Sequence, residues 1–131
     1  MMIKKNYGNG LPVFDRRTAL MYSGDDEDLL REVAKNFLEQ RSVVTNNLTS
    51  AFAEEDWKNY TTFAHGLKSS SLTLGGKKLS DLAKSMEQAG KDYAAANEDD
   101  KTTFVDYIKA NHGELLKLYE EFCALLGKEI Q

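Results

Sequence analysis

The sequence predicts an all-α fold, an antiparallel up-and-down four-helix bundle preceded by a short N-terminal helix. The chain has 131 residues, which is the size of a single domain. Leu and Ala together number 28 residues against 8 for Val and Ile, and there is one proline, so the composition favours helices over strands. Apolar residues recur at helical spacings between short polar connections, and short connections join helices that run antiparallel.

The first two predicted helices follow acidic residues that are good N-caps. A short helix begins after Asp15 and stops near Ser23-Gly24. A long helix opens at Asp25, where the acids that follow interact favourably with the helix dipole. The apolar stripe of this long helix is predicted to consist of Leu30, Val33, Phe37, Val44, Leu48 and Ala51.

Three more helices complete the predicted bundle. The third starts from the N-cap Asp56, extends to about Leu74 and ends at the turn Gly75-Gly76. The segment 97–100 separates the fourth helix from the last and caps the last one. Residues 1–10 are predicted to be a flexible tail, and residues 11–127 form the domain. The apolar faces of the last two helices are Leu79, Leu82, Met86, Ala89 and Tyr93, and Phe104, Ile108, Leu115, Phe122 and Leu126.

Charge and cysteine content exclude several classes of function. The formal net charge of −4 disfavours nucleic-acid binding. The single cysteine, Cys123, excludes an internal disulfide and fits a reducing cytoplasm. No apolar run approaches the roughly 18 residues of a membrane span, so membrane insertion is not expected. No glycine-rich phosphate loop is present, which disfavours a nucleotide-handling enzyme.

His65 lies on the polar face of the third predicted helix. At about 100° per residue, the apolar residues of this helix cluster about 150° away from it, so its imidazole is predicted to face solvent. A neutral imidazole in that position is a nucleophile. The segment 58–84 holds five lysines and one acid, which suits an anionic group or an acidic partner. The predicted outer-face neighbours of His65 are Lys58, Thr61, Lys68, Ser69 and Leu72, of which Leu72 indicates a docking patch.

The run from Ala64 to Leu79, AHGLKSSSLTLGGKKL, resembles the signature of histidine-containing phosphotransfer (HPt) domains. The pair Met86-Glu87 downstream also fits the family pattern, and the similarity spans residues 11–126. Two residues depart mildly from the family pattern. Ser69 stands where glycine is commoner, and Gly76 stands where alanine or another small residue is usual. The upstream resemblance is carried by Phe14-Asp15, Ala19-Leu20, Gly24-Asp25, Leu29-Leu30 and Phe37.

This resemblance implies a phosphorelay intermediate. His65 would accept a phosphoryl group from the aspartyl phosphate of a receiver domain and pass it to another receiver. Lys68 would give electrostatic support, Ser69 a hydrogen bond, and Gly75 would end the helix. The expected partners are response-regulator receivers and a hybrid sensor histidine kinase, which meet a monomer through Lys58, Thr61, Ser69, Leu72 and Gly75. The receiver would supply Mg²⁺, so no cofactor is expected on this chain, and neither is autokinase activity.

Two other interpretations stay open at this stage. A helical adapter, or a degenerate HPt-like module, would bind partners through Leu72 and the lysines without phosphoryl transfer. The phosphoacceptor domain of a sensor kinase is disfavoured, because there an acid usually follows the histidine, whereas Gly66 follows it here. A metal site is weaker still, since His65 and His112 are far apart in sequence. We expect His112 to be partly covered at the surface and Asn111 to be buried. The sequence leaves open whether the chain stands alone or is a piece of a hybrid kinase.

Overall fold

The computed structural model describes residues 10–130 and contains six helices and no strand within that range. The predicted all-α class is therefore confirmed for this part of the chain. The proposed tail, residues 1–10, lies outside the described residues except for Gly10. The helices are α1 (Arg16–Tyr22), α2 (Glu27–Glu39), α3 (Arg41–Ala53), α4 (Trp57–Thr73), α5 (Lys77–Ala95) and α6 (Glu98–Glu129).

The predicted short N-terminal helix is confirmed as α1. The Asp15 side chain caps it by accepting hydrogen bonds from the backbone N–H groups of Arg17 and Thr18. The helix ends at Ser23, and Gly24 follows with a positive φ of 64°.

The long helix predicted from Asp25 is wrong in its start and in its continuity. Asp26 is the N-cap instead, because its carboxylate accepts hydrogen bonds from the Asp28 and Leu29 N–H groups. Asp25 has a φ of 63° and lies before the helix. The helix then breaks at Gln40, which ends α2 and begins α3. Val33, predicted to lie in the apolar stripe, is 38% exposed.

The two helices that meet at Gln40 make different aromatic contacts. Phe37 of α2 packs on Phe122 of α6, with 5.5 Å between ring centroids. Phe52, near the end of α3, packs on Trp57 of α4 at 6.0 Å. The Phe52 ring also stacks on His112 of α6 at 3.9 Å, so α3 packs on both α4 and α6. The seven-residue spacing from Phe37 to Val44 matches a continuous helix, so it does not show the break.

The turn between α4 and α5 requires a glycine and anchors α1. Asp56 caps α4 and Leu74 ends it, as predicted. Gly75 has a φ of 83°, and a Cβ atom there would lie 2.2 Å from the Asp15 carbonyl oxygen. The Asp15 N–H donates to the Gly75 carbonyl oxygen at 2.9 Å. The start of α1 is therefore held against the C-terminal end of α4.

Helices α4 and α5 lie side by side, run antiparallel and approach each other closely. The Ser80 hydroxyl donates to the Lys68 carbonyl oxygen at 2.8 Å near the turn. Farther from the turn, a Cβ atom on Gly90 would lie 1.8 Å from Thr61 Oγ1, so only glycine permits this approach. These two contacts fix how α5 is aligned along α4.

The long helix α6 closes the core. Asn97 is its N-cap, as predicted. His112 is buried rather than partly covered, because its ring stacks on Phe52 at 3.9 Å and its Nδ1 shares a 2.7 Å hydrogen bond with the Tyr60 hydroxyl. Asn111 is buried, as predicted. The large, fully buried side chains are Tyr60, Tyr119, Phe122, Leu48, Leu74, Leu79, Leu82, Met86, Ile108, Leu115, Leu118 and Leu126.

Candidate functional site

The His65 side chain projects from the exposed face of α4 and is 59% exposed. Its neighbours Ala64 and Leu67 are buried, as the helical periodicity predicts. Because α4 is an uninterrupted helix of 17 residues, the backbone of His65 is rigidly placed. The structure thus presents one imidazole to the outside on a stable support.

A buried carboxylate on α5 holds this imidazole. Glu87 Oε2 lies 2.7 Å from His65 Nδ1, and the Glu87 side chain is only 4% exposed. The same carboxylate accepts from the Lys68 ammonium at 2.8 Å and from the Lys91 ammonium at 3.1 Å. Three donors therefore surround one buried anion, as a buried charge requires.

The charge state of Glu87 determines the tautomer of His65. Burial alone would raise the pKa of Glu87, but hydrogen bonds from Lys68, His65 and Lys91 lower this pKa to about 2. The carboxylate is ionised at neutral pH and acts only as an acceptor, so Nδ1 of a neutral His65 carries the proton. The lone pair is then on Nε2, on the far side of the ring from Glu87. That is the arrangement of an exposed, oriented nucleophile.

Charge around the imidazole remains positive. Two ammonium groups, those of Lys68 and Lys91, face one carboxylate, which leaves one net positive charge beside a neutral His65. An anionic group placed on Nε2 would lie near that charge.

The structure gathers some of the other predicted site residues around His65 and buries others. Lys58 and Ser69 are exposed on the same face of α4. Thr61 is half-buried against Gly90, and its hydroxyl donates to the Trp57 carbonyl oxygen at 2.6 Å. Gly75 is buried beneath the start of α1, away from the exposed face.

Leu72 is half-buried and lines a depression of about 310 Å³ between α1 and the α4–α5 turn. Two exposed apolar side chains of α1, Met21 at 62% and Tyr22 at 48%, lie on the helix that forms one wall. The other lining residues are Leu11, Pro12, Asp15, Thr18 and Lys77.

Sequence reasoning missed the role of Glu87. In the sequence, the Met86-Glu87 pair fits a family pattern, and Glu87 lies just beyond the lysine-rich segment. One signal in the sequence points to Glu87: it is an acid on the same face of α5 as the buried residues Ala83, Met86 and Gly90. An acid on a buried helix face needs a partner, and a hairpin turn at residues 74–76 places α4 opposite it.

Within residues 10–130, no group of three or more His, Cys, Asp or Glu side chains is placed to hold a metal ion. No helix in the same range is long and apolar enough to cross a membrane.

Comparison with known protein families identifies the family of the chain. A family model described as "Hpt domain" matches residues 28–124, which include α4 and the whole His65–Glu87 pair. Neither the curated proteins nor the solved structures contain a match to the chain.

Proposed function

The chain belongs to the Hpt domain family, and we propose on that premise that it is a phosphorelay intermediate in which His65 is the phosphoryl acceptor. Histidine phosphotransfer within phosphorelays is the activity of the family. We propose the more specific role of accepting the group from a receiver-domain aspartyl phosphate and passing it to a second receiver. The proposed scaffold is an antiparallel four-helix bundle in which α2 and α3 together form the first helix.

One observation carries the proposal: an exposed imidazole whose Nδ1 is bonded at 2.7 Å to a buried carboxylate. A surface histidine with no chemical role needs no such partner. The bond to Glu87 keeps the proton on Nδ1 and holds the ring, which leaves Nε2 as the nucleophile.

The transfer step balances without any group from outside the two domains. The Nε2 lone pair of His65 attacks phosphorus, an N–P bond forms, and the bond from phosphorus to the aspartyl oxygen breaks. The aspartate leaves as a carboxylate with the electron pair. No proton moves, because Nδ1 keeps its own, and the phosphorylated ring then carries positive charge beside the Glu87 carboxylate. Reversal of the same step delivers the group to the next receiver.

Positioning and charge supply most of the catalysis in phosphoryl transfer. We assign positioning to Glu87 and electrostatic support to Lys68, whose ammonium lies 2.8 Å from the Glu87 carboxylate. Lys91 adds a second, more exposed ammonium. Mg²⁺ is assigned to the partner receiver, with no cofactor on this chain and no autokinase activity.

The proposed partners are receiver domains of response regulators and of a hybrid sensor kinase, which contact a monomer in the cytoplasm. The contact face is the exposed side of α4 with Lys58 and Ser69, together with the Leu72 depression beside α1. Neither nucleic acid nor membrane insertion has a part in this role.

Labelling from phosphorylated receivers tests the proposal. Receiver domains charged with radiolabelled acetyl phosphate are mixed with the wild-type chain, with His65→Gln and with Lys117→Gln as an exposed control on α6. We expect acid-labile, base-stable label on the wild type and on Lys117→Gln, and none on His65→Gln. His65→Gln removes one of the three donors to the buried Glu87 carboxylate, but Lys68 and Lys91 still donate, so its melting temperature should fall by no more than about 4 °C.

Two results would overturn the assignment. Acid-labile label that persists on His65→Gln would place the acceptor elsewhere. Binding of receivers without labelling of the wild type would identify the chain as an adapter.

A further inference from the structure

A second depression lies on the other flank of α4 from Glu87, between α3 and α4. It has a volume of about 210 Å³. It begins at Gly66, the residue next to His65, and is called here the neutral groove. Its walls are Val44 and Asn47 of α3 and Thr62, Phe63, Gly66 and Ser70 of α4.

The neutral groove carries no charged side chain. From Ser42 to Ala53, α3 has no Asp, Glu, Lys or Arg, although such residues make up 29% of the chain. The opposite flank of His65 carries Lys68 and Lys91. Depletion of charge together with apolar side chains is typical of the centre of a protein interface. Val43, on the same helix, is 51% exposed.

Among residues 10–130, no contact requires a glycine at position 66. It lies inside α4, where glycine is less favourable than alanine. A Cβ atom there would meet no other atom within 4 Å, whereas one on Gly90 would collide with Thr61. The missing side chain therefore leaves open space beside His65 on the outer face of α4.

The occupant follows from the reaction at the adjacent residue. Transfer to Nε2 requires the receiver surface to lie in contact with the exposed face of α4, and the neutral groove continues that face from Gly66. We infer that Gly66 is a positioning residue: the receiver places its main chain across Gly66 and an apolar side chain in the neutral groove. This inference rests on the proposed function and adds the flank of α4 on which the receiver is aligned.

Two glycines of the chain allow a matched experiment. Gly113 of α6 is also exposed, inside a helix and without neighbours within 4 Å of its Cβ position. The variants Gly66→Ala, Gly66→Leu, Gly113→Ala and Gly113→Leu should all raise the melting temperature by about 4 °C, because each restores helix propensity.

Transfer kinetics separate the two sites. We expect Gly66→Leu to lower the second-order rate of transfer from receiver to His65 by on the order of 100-fold, and Gly66→Ala by less. Both Gly113 variants should transfer at the wild-type rate. Phosphorylation by phosphoramidate, which needs no receiver, should be equal in all five proteins, because the Glu87–His65 bond is untouched.

The outcomes are distinguishable. Equal receiver-dependent rates for Gly66→Leu and Gly113→Leu would overturn the inference and leave the proposed function standing. Failure of every receiver to label the wild type would reject both. A dimer of the wild type that Gly66→Leu dissociates, measured by sedimentation, would assign the neutral groove to a second copy of the chain and overturn the inference.

Discussion

Replacement of Glu87 by glutamine removes one negative charge and keeps the shape of the side chain. The carboxylate is 4% exposed, and its hydrogen bonds lower its pKa from 4.5 to about 2 against the opposing effect of burial. A difference of that size between the folded and unfolded chain corresponds to about 3 kcal/mol of stability at neutral pH. Because the His65 and Lys91 side chains are more than half exposed, solvent screens their charges and reduces this stabilisation. We expect Glu87→Gln to lower the free energy of unfolding by about 2 kcal/mol.

The sign of the pH dependence follows from the lowered pKa. The unfolded chain binds a proton on Glu87 at a higher pH than the folded chain does, so the stabilisation is fully present above about pH 4.5. It is lost as the pH falls from there towards about 2, the folded pKa. Chemical unfolding at several pH values should show a weaker acid dependence in Glu87→Gln. The control is Asp92→Asn on the same helix, whose carboxylate accepts from Gln88.

Glu87→Gln should slow transfer but keep the orientation of the His65 ring. The amide oxygen of glutamine still accepts the His65 Nδ1 proton, but it cannot neutralise the positive charge that develops on the ring. A charge-assisted hydrogen bond is roughly twice as strong as a neutral one, a difference of about 1.4 kcal/mol. We therefore expect a fall of about tenfold in the transfer rate. Glu87→Asp keeps the charge, but it is too short to hold the ring and should also be slow.

Two measurements together test this reasoning. Transfer from a labelled receiver gives the rate, and the ¹⁵N chemical shifts of the His65 ring report which nitrogen carries the proton. Glu87→Gln should retain the Nδ1-protonated form with reduced transfer. Wild-type rates in both Glu87→Gln and Glu87→Asp would show that Glu87 only stabilises the fold.

Three further expectations follow from the same contacts. Lys68→Ala should slow transfer about tenfold. Lys91→Ala should slow it less, because the Lys91 side chain is 58% exposed against 27% for Lys68. Wild-type transfer rates in both variants would show that the two lysines are only structural. Leu72→Glu should weaken receiver binding about tenfold in calorimetric titration with little change in melting temperature, and an unchanged affinity would remove the Leu72 depression from the interface. Burial lowers the pKa of His112, so the unfolded chain takes up a proton first and stability falls as the pH drops below about 6.5. His112→Gln should flatten this part of the pH profile, and an unaltered slope would assign it to another group.

The sequence predicted the helix caps and the outward direction of His65, which depend on residues close by in the chain. The caps Asp15, Asp56 and Asn97 are confirmed, because a cap is satisfied by backbone N–H groups two or three residues away. The outward direction of His65 is confirmed because α4 is one unbroken helix, so a rotation of about 100° per residue holds along its length.

Features that depend on contacts between helices were missed. No glycine or proline marks the break at Gln40, after which Phe52 of α3 reaches both α4 and α6. The Glu87–His65 bond depends on how α5 is aligned along α4. That alignment is set by Thr61 against Gly90 and by the bond from Ser80 to the Lys68 carbonyl, neither of which has a periodic signal.

The burial of Glu87 fixes the orientation of the His65 imidazole. An exposed carboxylate would be hydrated and mobile, and its interaction with an imidazole would be screened. A buried one needs donors, and His65, Lys68 and Lys91 supply them from two helices. The close approach at Gly90 brings α5 near enough for this to happen. The packing of two helices therefore selects which ring nitrogen of His65 is bonded to Glu87 and which one faces outward.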